Sequence, residues 1–238
     1  MTDGEVRSGI ISMGRKSTPL RFILFPMCHV ASPAFYAEVR RLLAGCDLIV
    51  AEGVHGRSAQ LRAITLAYRF APRFRRWSLQ RQDYEKLLPP DVPVINRDVT
   101  AADLRSGLRR LPRREHGLLL VLAPLMGLVF AALGPRPFMR YMTVELPTGL
   151  QPERHRANLR RDEMRHKGIA VDDPLTAALL TTRDAELIQT LAEIHEQRHD
   201  EPIAVAVVYG AHHIPRIATS LMIYHGYRVR HTEYLTVF

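Results

Sequence analysis

Cysteine is scarce in this chain: of 238 residues only Cys28 and Cys46 are cysteines. Two are too few for a disulfide framework or a cysteine-based zinc site, and they fit a reducing compartment. Lysine is nearly missing as well. Lys16, Lys86 and Lys167 are the only lysines among 33 basic residues, so the net charge of +9 is carried by arginine. Arginine clusters at 69–76, 105–114 and 154–165 can attract anionic surfaces. No aromatic-interleaved RNA motif or helix-turn-helix signature accompanies them, so no specific nucleic-acid binding is expected. There is also no HExxH helix, no P-loop and no Gly-x-Ser-x-Gly elbow, which sets aside the zincin, phosphate-cradle and serine-elbow chemistries.

Residues 1–20 are polar and broken by glycine, with no apolar stretch behind a basic start. They read as a mobile tail without a secretory signal, and the expected localisation is cytoplasmic. One long uncharged run is present, Gly117–Gly134, with Pro124 and Gly127 inside it and basic residues on both flanks. It is close to the length a membrane span needs. It reads either as a kinked apolar helix in a folded core or as an element contacting a membrane or a partner.

The rest of the chain alternates short apolar runs with amphipathic stretches. Strands are expected over Arg21–Met27, Asp47–Ala51, Val92–Asn96 and Ile203–Tyr209, with two short ones over Tyr227–Arg230 and Tyr234–Phe238. Helices are expected over Ser32–Ala44, where serine and proline make a good start, over Ser58–Arg76, Ser78–Leu88 and Glu153–His166, and over Pro174–His199 and Pro215–His225. This pattern predicts one α/β domain over 21–238, with a largely parallel or mixed sheet flanked by helices.

In open α/β sheets, ligands bind beyond the carboxyl ends of the strands. Four expected strands end next to residues with chemical capacity: His29, Glu52, Arg97 with Asp98, and His212-His213. If the strands run parallel, two imidazoles, a carboxylate and a guanidinium converge. Imidazole and carboxylate are ligands for zinc, manganese or cobalt, and an ion with three protein ligands can activate a water. Arg97 or Arg183 can bind a carboxylate or stabilise an oxyanion. Without metal, one histidine can serve as general base with Glu52 orienting it. Of the adjacent histidines, one is expected to enter the site and the other to face solvent or pack, with Gly210 letting the backbone turn ahead of them.

These residues resemble the TraB/GumN family, which includes the TIKI metalloproteases and lies near the erythromycin-esterase and ChaN-like folds. Gly210-Ala211-His212-His213 matches the second of the family's two Gly-x-x-His motifs, and Glu52 after Leu-Ile-Val-Ala matches its glutamate. The first motif is Pro26-Met27-Cys28-His29, with proline in place of glycine. Asn96-Arg97-Asp98-Val99 and Thr182-Arg183-Asp184 are similar to the family's Asp-Arg-Asp-Ile and Glu-Arg-Asp segments, with Asn96 and Thr182 as replacements. The resemblance implies a site in which His29, His213 and Glu52 hold a divalent metal ion and Glu52, Arg97 and Arg183 act on substrate. The implied reaction is metal-dependent hydrolysis of peptide or ester bonds. Two alternatives stand beside it: a non-catalytic protein that binds a peptide or small signal, as in pheromone shutdown, and a metal-free hydrolase with histidine as base.

Overall fold

A computed structural model of the chain describes residues 6–52, 79–96 and 182–238. Strands β1 (Arg7–Arg15), β2 (Thr18–Met27), β4 (Leu48–Ala51), β6 (Val94–Ile95), β7 (Ala204–Gly210) and β8 (Arg228–Thr236) form a six-stranded sheet in the order β6-β4-β7-β2-β1-β8. A two-stranded ribbon pairs β3 (Val30–Ala31) with β5 (Gln80–Arg81). The helices are α1 (Pro33–Leu43), the single turn α2 (Tyr84–Leu87), α3 (Thr182–Arg198) and α4 (Ile214–Tyr224). The α/β expectation holds, and the sheet is mixed. Strands β6, β4, β7 and β2 run parallel, while β1 and β8 extend the edge antiparallel.

Strand β7 shows why this sheet forms. Its Ala-Val-Ala-Val-Val-Tyr run is buried throughout, as a central parallel strand covered on both faces must be. Alternate residues serve opposite layers. Val205, Val207 and Tyr209 join Phe22, Leu24, Leu48 and Val50 against Leu187 and Leu191 of α3 and Ile217 and Leu221 of α4. Ala206 and Val208 join Phe25, Met27, Ile49 and Ala51 against Phe35, Val39 and Leu43 of α1. Helix α1 starts where serine and proline dictate: Ser32 Oγ accepts from the Phe35 N–H at 3.2 Å, and Pro33 occupies the first turn.

The N-terminal expectation is overturned over Arg7–Arg15, which is a paired strand and not a tail. Ile10, Ile11 and Met13 are buried there. The glycines that read as breaks lie close beneath side chains of the partner strand. A Cβ on Gly9 would lie 3.2 Å from Thr232 Cγ2 and 3.3 Å from Tyr234 Cε1, and one on Gly14 would lie 3.3 Å from Arg230 Cγ. The same pairing fuses the two short C-terminal strands into β8, with a register shift between Ser12 and Met13 that skips Arg230. Gln80–Arg81 is strand rather than helix, because it pairs with β3 and leaves only Tyr84–Leu87 helical. The expected helices over Ser58–Arg76 and Glu153–His166, and the apolar run Gly117–Gly134, lie outside the described residues. Among those described, no helix is long and apolar enough to cross a membrane.

Candidate functional site

Parallel pairing brings the expected strand ends to one edge. Met27 is in register with Gly210, and Ala51 with Val208. His29 therefore follows β2, Glu52 follows β4, and His212-His213 follow β7 along the same border. The turn after β7 is tied down by short backbone bonds. The Ala211 N–H donates to the Met27 carbonyl at 3.0 Å, and the His213 N–H to the Gly210 carbonyl at 2.9 Å. The Tyr36 hydroxyl donates to the Cys28 carbonyl at 2.7 Å and fixes the segment that carries His29.

Glu52 is buried and fully engaged. Its Oε1 accepts from Arg183 Nη2 at 2.6 Å, and its Oε2 from the Gly210 N–H at 2.6 Å. The two side chains are 9% and 12% exposed, so this ion pair is largely shielded from water. Burial pushes the Glu52 carboxyl up, but Arg183, His29, His213 and the Gly210 N–H together outweigh it and hold it below the ordinary carboxylate range. The ion pair thus joins the end of β4, the start of α3 and the end of β7.

Gly210 has a different role from the one expected. Among the described residues, Gly226 is the glycine with positive φ, at 70°. Gly210 is instead needed for space: a Cβ there would stand 3.2 Å from Glu52 Oε2. The missing side chain lets the carboxylate close on the backbone N–H.

His213 enters the site and His212 is exposed, as expected of adjacent residues in a turn. His213 is buried at 4% exposure. Its Nδ1 lies 2.6 Å from Asp184 Oδ1, and Arg216 Nη1 lies 3.4 Å from Asp184 Oδ2. The Tyr209 ring packs edge-on against the imidazole at 5.9 Å. A carboxylate on Nδ1 fixes the ring and directs Nε2 to outside chemistry, whether that is a proton or a metal ion.

Asp184 and Arg216 are the members of this site that sequence reasoning passed over. Asp184 adjoins Arg183, and the two side chains serve different partners, Glu52 and His213. Adjacent residues on a helix point in directions about 100° apart, so two neighbouring charges can address two groups. Arg97 lies outside the described residues. Neither cysteine competes as a nucleophile. Burial raises both thiols to about 11, so they are protonated at neutral pH.

Among the described residues, no group of three or more histidine, cysteine, aspartate or glutamate side chains is arranged to hold a metal ion. The chain matches no protein-family model, no curated protein and no solved structure.

Proposed function

We propose that this protein is a hydrolase of peptide or ester bonds in which His213 is the general base. The observation that carries the reading is the buried Asp184–His213 contact at 2.6 Å. Asp184 holds the tautomer with the proton on Nδ1, and Nε2 then takes a proton from an attacking water. As that proton is taken the imidazole becomes positive, and the Asp184 carboxylate stabilises it. Glu52 acts here as the anchor of Arg183 and of the Gly210 turn. Arg183 supplies positive charge at the same edge, suited to an oxyanion. The bonds hydrolysed are those the TraB/GumN resemblance implies, and the metal-free histidine base is the alternative that stood beside its metal-dependent mechanism.

A divalent zinc, manganese or cobalt ion is the second reading. It is favoured by His29 and His213, which both lie close enough to Glu52 to act on its carboxylate. Among the described residues no group of three or more such donors is arranged to hold the ion, and each Glu52 oxygen already accepts one N–H.

The deciding experiment is elemental analysis of the purified protein beside His29→Ala and His213→Ala, with hydrolysis of peptide and ester substrates measured with and without chelator. Hydrolysis that survives chelator and is lost in His213→Ala supports the histidine base. About one equivalent of metal, lost in both variants together with activity, supports the metal reading. Binding of peptide without turnover in the wild type would make the protein a sequestering one.

A further inference from the structure

We propose that Gln82 and Tyr84 form a polar subsite beside the Glu52–Arg183 pair that takes an uncharged amide group of the ligand. The inference deepens the hydrolase reading and rests on it for the identity of the site.

Both residues are placed at the site by backbone geometry. The ribbon of β3 and β5 begins just after His29, and the Gln82 N–H donates to the His29 carbonyl at 2.9 Å. Tyr84 opens helix α2 two residues later. Its phenol feels Glu52 and Tyr209, at the ends of β4 and β7, and Arg183, at the start of α3.

Both carry polar atoms that are buried. Gln82 is 7% exposed. Its Oε1, its Nε2 and the Tyr84 hydroxyl have no hydrogen-bond partner among the described residues. The Gln82 amide is near enough to be felt by the Tyr84 hydroxyl, yet the two do not meet hydrogen-bond geometry. A buried carboxamide left unmatched is expensive, roughly 1–3 kcal/mol for each such group, and native proteins keep few. Three such atoms side by side at the edge of a candidate site indicate a group that arrives from outside.

Their chemistry selects that group. The Gln82 amide offers a donor and an acceptor in one plane, and Tyr84 adds a hydroxyl. Burial, with Glu52 nearby, raises the Tyr84 phenol well above its ordinary value, so it is a donor at any neutral pH. A carboxylate ligand would meet Gln82 Oε1 and the Glu52 charge unfavourably. An ester has no N–H to give Oε1. A primary amide, whose N–H and C=O lie on the same side, satisfies both ends of Gln82 and leaves its carbonyl a second lone pair for Tyr84. Sites built around a hydrogen bond reject analogues lacking it far more strongly than apolar pockets reject a missing methylene.

The test is equilibrium binding to the full chain by nuclear magnetic resonance, following the side-chain NH2 signals of Gln82, assigned by their loss in Gln82→Leu. The probes are acetamide, methyl acetate and acetate. The expected result is a saturable shift with acetamide at least about tenfold tighter than with either other probe. That preference should fall to near unity in Gln82→Leu, read at neighbouring backbone signals, and in Tyr84→Phe. In the absence of probe, both variants should melt at or above the wild-type temperature, since each removes an unmatched buried group. Equal affinity for the three probes, or no shift at the Gln82 signals, would overturn the proposal and leave a bound water as the partner. A lowered melting temperature in both variants would overturn it too, by showing that the groups are already satisfied within the fold. No readout needs turnover, so a failure of the histidine-base reading, seen as hydrolysis unaffected in His213→Ala, is separable from a failure here.

Discussion

Asp184 and His213 meet 2.6 Å apart, 5% exposed each, although 28 residues separate them and they lie on different helices or their caps. That contact gives the His213 imidazole one orientation, and it yields the first test. Asp184→Asn keeps shape and volume but no longer fixes the proton on Nδ1. Hydrolysis is expected to drop by about 10²–10⁴-fold, with circular dichroism unchanged. Equal turnover by Asp184→Asn and wild type would show that His213 needs no orienting group.

The Glu52–Arg183 pair makes a sharper prediction about stability. Removing one partner leaves a buried charge uncompensated, so Arg183→Met is expected to destabilise the fold by about 3–5 kcal/mol. Replacing both, in Glu52→Gln with Arg183→Met, should cost clearly less than the sum of the single changes. Urea denaturation of the four proteins measures the coupling. Additive losses would mean the pair does not act as a unit.

Acid should act through the same carboxylate. The Glu52 carboxyl is held below its ordinary value of 4.5 in the fold. A depressed folded value means the group contributes stability that is complete above about pH 4.5 and is lost as pH falls through the folded value. Melting temperature against pH should therefore fall more steeply below pH 4.5 in the wild type than in Glu52→Gln. Parallel curves for the two would place the acid sensitivity elsewhere.

Gly210→Ala tests the space argument. The added methyl would stand 3.2 Å from Glu52 Oε2, so the carboxylate must give by a few tenths of an ångström. With no positive φ to oppose alanine, the expected loss of stability is modest, about 1 kcal/mol. Activity should fall further than stability, because the shift passes to Arg183 and the turn that carries His213. A loss of stability above about 3 kcal/mol would point to backbone strain instead.

Ser32→Ala removes the oxygen that accepts the Phe35 N–H at the start of α1. About 1 kcal/mol of stability should be lost, with ligand binding unaffected. Thermal denaturation beside a binding assay checks both halves.

Much of the fold is legible in local sequence because local physics decides it. The Ser-Pro start of α1, the fully apolar β7 and the amphipathic period of α3 need no distant partner to be recognised. Their order also suggests where His29, Glu52 and His213 would gather, since parallel strands carry their ends to one edge. Pairing decided the rest. Gly9 and Gly14 read as breaks until the side chains of Thr232, Tyr234 and Arg230 fill the space above them. Gln80–Arg81 reads as helix until β3 lies beside it. Gly210 reads as a hinge until Glu52 Oε2 lies 3.2 Å from where its Cβ would stand. Asp184 and Gln82 carry no local signal of their roles, because each role depends on residues far away in the chain. Sequence patterning therefore determined which strands end in reactive groups. Tertiary structure decided which of those groups are committed to one another: Arg183 to Glu52, Asp184 to His213, and Gln82 with Tyr84 to no partner among the described residues.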